Sequence, residues 1–183
     1  MKEASLMVAQ LMAAAMRTAP KAGGKDFLEI VIIHQETVLQ RISQRMVEYA
    51  PASTNEAYWR RDAANIAQCD AVVLVGLRRF TTAGYDCNGC GFSTCAEFSR
   101  HREEQSKEMG YAGPQCIMRM MDIGAALVSA AKTAGLLNID NRVQQRVGAA
   151  ARDLGLIDAE VAMGVPIGVS GKNIFFDRPT AKH

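Results

Sequence analysis

The sequence lacks several things, and each shortage removes a class of function. Aromatic residues make up 6% of the 183 residues, with a single Trp, so the stacking platforms used on single-stranded nucleic acid are missing. The formal net charge is only +2, which gives no basic field of the kind nucleic-acid binding needs. No apolar run approaches the roughly 20 residues that span a bilayer. The mostly apolar stretch Ala4–Met16 is preceded by Glu3, interrupted by Gln10 and followed by Arg17 and Lys21. It reads as an amphipathic helix rather than an export signal. Neither a G-x-G-x-x-G fingerprint nor a G-x-x-x-x-G-K-[ST] phosphate loop occurs. His34, His101 and His183 are scattered and form no Ser–His–Asp or metal-hydrolase pattern. Repeats, linkers and low-complexity segments are missing too. The expectation is a single soluble, cytoplasmic α+β domain over 1–183, with neither nucleic acid nor membrane as partner.

Cysteine is also scarce, but unevenly so. Of five in the chain, Cys87, Cys90, Cys95 and Cys116 lie within thirty residues. An odd number in a chain with a real core does not suit a disulfide framework, and the clustering points to metal. The motif is Cys-x2-Cys-x4-Cys with Cys116 further on, and four thiolates are what a [4Fe–4S] cluster needs, one per iron. Gly89 and Gly91 flank Cys90, so the backbone can wrap tightly and aim amides at an anionic centre. Thr94 and Glu97 have the spacing of a capping box, which places Cys95 at the start of a helix continuing through Phe98, Arg102 and Met109 to Gly110. Gly113 and Pro114 then turn the chain back so that Cys116 becomes the fourth ligand. A structural zinc site uses the same ligands, usually as two C-x2-C knuckles; only one such pair is present. Cys69, before an apolar run, reads as a small core residue. His101 falls on a charged helix face. Met118, Met120 and Met121 follow Cys116 directly, either shielding the cluster or filling the core.

Along the chain, helices are expected over 4–17, 37–49, 55–68 with Thr54 as cap, 117–134 ended by Gly135, and from Asp140 to near Gly155. The runs FLEIVII (27–33) and AVVLVGL (71–77) suit buried strands, and 161–169 and 173–176 are further strand candidates. The cysteine segment, about 81–116, reads as an insert forming its own small lobe.

The segment CNGCGFSTCAEF with Cys116 resembles the [4Fe–4S] domain of the corrinoid iron–sulfur protein's large subunit and of Rnf-type electron-transport B subunits. Over nearly its full length the chain resembles a family of uncharacterised ferredoxin-domain-containing proteins. The segments that carry this likeness are RTAPKAGGKD (17–26), CNGCGFSTC (87–95), CIMRMMDIGAAL (116–127), LNIDNR (137–142) and GVPIGVSGKNIFFDR (164–178). A fainter likeness is to the FMN-dependent nitroreductases, on the run Met16–Gly24 and the Gly-x-Pro of Gly164–Pro166. That resemblance implies a nitroreductase-like fold, an intertwined homodimer and FMN at its interface. The family's Arg-Arg-Ser segment that holds the flavin phosphate is missing here, so two other groups are candidates: Arg17, Lys21 and Lys25 with Gly23 and Gly24, or the loop Ser170–Asn173 with Gly171 and Lys172. The resemblances together imply electron transfer or an oxidoreductase, with a redox partner protein or a small-molecule acceptor. A non-enzymatic iron–sulfur sensor or scaffold, and a structural zinc protein, are the alternatives.

Overall fold

The computed structural model describes residues 1–79, 81–102 and 105–177. Four strands build the main sheet: β1 (Leu28–Ile33), β2 (Ala71–Leu77), β5 (Asp140–Asn141) and β6 (Val161–Gly168). They pair antiparallel in the order β1–β2–β6–β5. Strand β2 is buried along its whole length, which is why AVVLVGL shows no polar alternation: both faces of the sheet are covered. Val73 and Val75 share one core with α1 (Lys2–Thr18) and α5 (Ile117–Leu136). Val72 and Leu74 share the other with α2 (Glu36–Tyr49), α3 (Glu56–Gln68) and α6 (Gln145–Asp153). The buried residues of α1 include Val8, Met12 and Met16, a stripe at helical spacing. Helix α6 sits very close to β6: a Cβ on Gly148 would stand 2.1 Å from the Ala162 carbonyl oxygen. Among the described residues, no helix is long and apolar enough to cross a membrane.

Several boundaries differ from the sequence expectation. Residues 173–176 form a turn, not a strand, closed by the Asp177 amide donating to the Asn173 carbonyl at 3.1 Å. The strand position beside the end of β6 is already taken by β5, where Asp140 pairs with Gly168. Asp140 therefore lies in a strand rather than capping a helix, and α6 begins after Gln144. Asn55, not Thr54, holds the cap position of α3, and Ser53 Oγ accepts from the Asn55 amide and from Trp59 Nε1. Helix α5 runs on to Leu136, and Asn138 supplies the left-handed residue beyond it, at φ 55°. His183 lies outside the described residues.

The cysteine segment leaves the sheet after β2 and returns at α5. It contains α4 (Cys95–Arg100) and a two-stranded ribbon of β3 (Gln105–Ser106) and β4 (Ala112–Gly113). The helix from Cys95 is shorter than expected, stopping at Arg100 instead of Gly110. Ten more residues of helix would carry the chain about 15 Å further, whereas it has to come back to Cys116. Arg102 turns inward instead, its guanidinium donating to the buried Glu160 carboxylate at 3.2 Å. Gln115 Nε2 donates to the same carboxylate at 3.1 Å, and the Ala112 amide to the Glu160 carbonyl at 2.9 Å. Glu160, just before β6, is thus the post to which the insert is tied.

Candidate metal centre

Cys87, Cys90, Cys95 and Cys116 all line one pocket, together with Asp86, Asn88, Phe92, Phe98 and Ile117 among others. The first three reach it because the chain winds in left-handed steps: φ is 45° at Asp86, 57° at Asn88 and 87° at Gly91. Asp and Asn tolerate this region better than most side chains, and Gly freely. The Gly91 amide closes a turn on the Asn88 carbonyl at 3.0 Å. Gly89 must be glycine for a different reason, since a Cβ there would stand 2.4 Å from Ile117 Cγ2.

Cys95 opens α4. Thr94 Oγ1 accepts from the Glu97 amide at 3.1 Å, as the capping box requires, while the Glu97 carboxylate reaches back to the Ser93 amide at 3.1 Å. Asp86 Oδ1 accepts from the Cys95 amide at 2.6 Å. Cys116 is the cap residue of α5, and its carbonyl accepts from the Met120 amide at 3.0 Å. The N-termini of both helices therefore border the pocket, and their partial positive charge favours a bound anion. Cys116 is buried, Cys90 and Cys95 are half-buried and Cys87 is exposed, so the pocket has one open edge. Among the described residues, no three His, Cys, Asp or Glu side chains gather round a single ion position. Four thiols round one pocket, at the mouths of two helices, fit a thiolate-held anionic cluster in donor number and in charge.

The surroundings correct one expectation and decide between the alternatives of another. His101 is not on a free charged face: its ring stacks on Phe92 at 5.2 Å and 22°. None of Met118, Met120 and Met121 lines the pocket; Ile117 does. Met120 packs into the core under the sheet, whereas Met121 is exposed. Cys69 is the core residue expected. Its thiol donates to the Ile66 carbonyl at 3.3 Å, and burial, reinforced by the neighbouring Asp70, pushes it up to about 12. Such a thiol is inert at neutral pH.

The buried pair Arg119–Asp122 was not foreseen. Arg119 NH1 meets Asp122 Oδ2 at 2.7 Å and donates to the carbonyls of Ala22 at 3.2 Å and Lys25 at 3.3 Å. Arg119 NH2 donates to the Thr82 carbonyl at 3.1 Å, and the Ala22 amide donates to Asp122 Oδ1 at 2.7 Å. The first turn of α5 is thereby locked both to the 22–25 turn and to the start of the insert. A readable signal existed: two opposite charges three apart in the otherwise apolar run IMRMMDIGAAL.

The two candidate phosphate groups lie apart. Arg17 is bound to Asp26 at 3.0 Å and to the Leu28 carbonyl at 2.6 Å. Burial alone would raise the Asp26 carboxyl, but the Leu28 amide and Arg17 outweigh it and hold it below the ordinary carboxylate value. Lys21 Nζ caps the end of α1, donating to the carbonyls of Met16, Arg17 and Ala19 at 2.7, 2.9 and 2.8 Å. Lys25 is exposed. Gly171 and Lys172 follow β6, with Lys172 paired to Asp177 at 2.8 Å. Leu28 pairs with Leu77 and Leu77 with Val161, whereas Gly168 is at the far end of β6. The two groups thus sit at opposite ends of the sheet, roughly 20 Å apart at the rise of a strand, and one chain does not bring both to the same phosphate.

Comparison with known proteins bears on both the fold and the site. A model of the family described as "Uncharacterized protein containing a ferredoxin domain (DUF2148)" matches residues 112–178, a span that includes Cys116 but not the first three cysteines. An uncharacterized protein of Archaeoglobus fulgidus is 40% identical over 176 residues, covering 96% of this chain and 92% of that one. Among solved structures, an FMN-bound nitroreductase from Desulfitobacterium hafniense superposes with a TM-score of 0.58 at 13% identity, over 91% of this chain and 78% of that chain. A BluB-like flavoprotein from Clostridium difficile gives 0.57 at 14% identity, over 97% and 85%. At such identities the likeness is one of fold: the chain has a nitroreductase-like α+β architecture.

Proposed function

Because the chain belongs to the family of uncharacterized proteins containing a ferredoxin domain, we propose that it binds one [4Fe–4S] cluster through Cys87, Cys90, Cys95 and Cys116 and serves in electron transfer or as an oxidoreductase. The observation that carries this reading is the meeting of Cys116 with the three cysteines of the CNGCGFSTC run around one pocket. When bound, such a cluster supplies one-electron transfer. The chain's own part is to hold four thiolates, to present two helix N-termini to the cluster's negative charge, and to cover it with Ile117, Phe92 and Phe98 while leaving the Cys87 edge open. Residues 81–116 are then the cluster-binding insert of a cytoplasmic protein that exchanges electrons with a partner protein or a small molecule. We assign it a homodimer, since α1 leaves Met7 and Leu11, and α5 Met121 and Val128, at the surface.

Anaerobically made protein is expected to be brown and to contain about four irons and four sulfides per chain. Serine at any of the four positions should lose or destabilise the cluster, whereas Cys69→Ser should keep it. A colourless, zinc-loaded product under these conditions would replace this reading with a structural zinc site. Retention of the cluster without turnover on any donor and acceptor pair would favour a sensor or scaffold.

FMN is a second reading, supported by the likeness of fold to the FMN-bound nitroreductase. Its phosphate would take one of the two candidate groups: Lys25 beside Gly23 and Gly24, since Arg17 and Lys21 already serve α1 and Asp26, or Gly171 and Lys172. Quenching of FMN fluorescence on titration tests it, and unsaturable quenching rejects it.

A further inference from the structure

A second cavity, of about 570 Å³, opens on the insert beside the thiol pocket. Phe92 lines both. Its ring is fixed by His101, stacked at 5.2 Å, and by Phe98, edge-on at 5.8 Å. Gln105, Ser106, Ala112 and Gln115 make up part of the remaining wall. Tyr111 and Pro114 contribute rings, and Gly113 contributes bare backbone, where a Cβ would meet nothing nearer than 4.0 Å. The Tyr111 hydroxyl donates to Met163 Sδ at 2.9 Å, and burial pushes its phenol above the ordinary value, so this wall stays neutral at physiological pH. One cation, Lys107, lines the cavity. It is exposed, and its ammonium makes no ion pair or hydrogen bond among the described residues.

We propose that this cavity binds a planar, conjugated one-electron acceptor of the quinone class that carries an acidic group. The ring lies between Phe92 and Tyr111, and the acid pairs with Lys107. The two aromatic rings favour a flat conjugated ligand, and the exposed Lys107, the one cation among the described lining residues, sets which end carries the acid. The redox meaning of the site rests on the cluster reading above: Phe92 lines both this cavity and the thiol pocket. A cluster held by Cys87, Cys90, Cys95 and Cys116 would supply the single electron that such a ring accepts.

The test uses 9,10-anthraquinone-2-sulfonate, a flat anionic quinone that does not add to thiols, in equilibrium dialysis against the anaerobically purified full chain. Saturable binding is expected. Lys107→Glu should weaken it about tenfold, the size of one lost ion pair at a partly desolvated rim. Ser106→Trp, which fills the cavity from an exposed position, should abolish it, and Lys132→Glu, on the exposed surface of α5, should leave it unchanged. Absence of saturable binding, or binding that survives both Lys107→Glu and Ser106→Trp, overturns the proposal. Iron and sulfide assays on the same samples separate the two readings. Four irons without quinone binding sinks only the cavity, and quinone binding to a chain that takes up no iron sinks only the cluster.

Discussion

Asp86 places a carboxylate at the edge of the thiol pocket, where it also takes the Cys95 amide at 2.6 Å. A negative charge there favours the oxidised form of an anionic cluster, which is the less negative one. Asp86→Asn is therefore expected to raise the reduction potential, by something on the order of tens of millivolts; redox titration that finds it unchanged or lowered would contradict the assignment of the pocket. Gly89 makes a steric prediction. Its Cβ would lie 2.4 Å from Ile117 Cγ2, so Gly89→Ala should reduce visible absorbance per chain, and adding Ile117→Ala should restore it. Cys69 makes a prediction about pH. Its folded-state pKa, about 12, is raised above the roughly 8.5 of an unfolded thiol. The stability it contributes is then complete below the unfolded value and is lost as pH rises toward the folded one. Wild type should lose about 1 kcal/mol per pH unit relative to Cys69→Ala across that window. Parallel urea-unfolding curves for the two proteins would count against it.

Helix α5 has two functions that pull on different residues. Its apolar face builds the core against α1 and the sheet, with Ile123, Ala126 and Ala130 buried. Its first turn presents Cys116 and locks Arg119 and Asp122 under the turn at 22–25. Removing one partner of a buried ion pair leaves the other uncompensated, at a cost of about 3–5 kcal/mol. Arg119→Ala should therefore lower the stability measured in urea by about that amount. It should also speed cluster loss, because the Thr82 end of the insert loses its tie. The double change Arg119→Met with Asp122→Ala should recover part of the stability, and a double variant weaker than the single would contradict the account. Why the extent of α5 was readable and the end of α4 was not follows from length. A twenty-residue helix rich in Met and Ala with one apolar face against the core announces itself, whereas α4 has six residues and ends where the distant Glu160 draws Arg102 inward.

For the whole molecule, the expectation is a stable frame carrying a metal-dependent lobe. The sheet and its two cores contain most of the buried apolar residues, while much of the insert's surface around Cys87–Thr94 is exposed. Removing iron with a chelator should raise amide exchange across 84–100 and leave β2 protected, since local opening follows local burial. Equal loss of protection in both would mean that the cluster holds the entire fold. Light scattering at micromolar concentration should give a dimeric mass, and replacing exposed Val128 in α5 by Lys should shift it toward the monomer; a monomeric wild type would reject that assembly.

The sequence by itself determined which four cysteines would come together, the capped start of α4 at Thr94, the buried strand at 71–77 and the helices that flank the sheet. These follow from spacing, caps and apolar runs, which are interactions between near neighbours in the chain. Only the tertiary structure decided where α4 stops, that 173–176 turns instead of extending, and that Arg17 and Lys21 serve α1 rather than an open anion site. It also placed Ile117 rather than the methionines over the thiols, and set the two candidate phosphate groups at opposite ends of the sheet. Two of these depend on partners far away in sequence, Glu160 for Arg102 and β5 for the end of β6, whereas Asp26 and the α1 carbonyls lie within ten residues of the basic turn and are met only because of how the folded backbone turns there. Distant pairings of this kind are fixed by the register of the sheet and the packing of helices upon it, and neither is written in any local pattern.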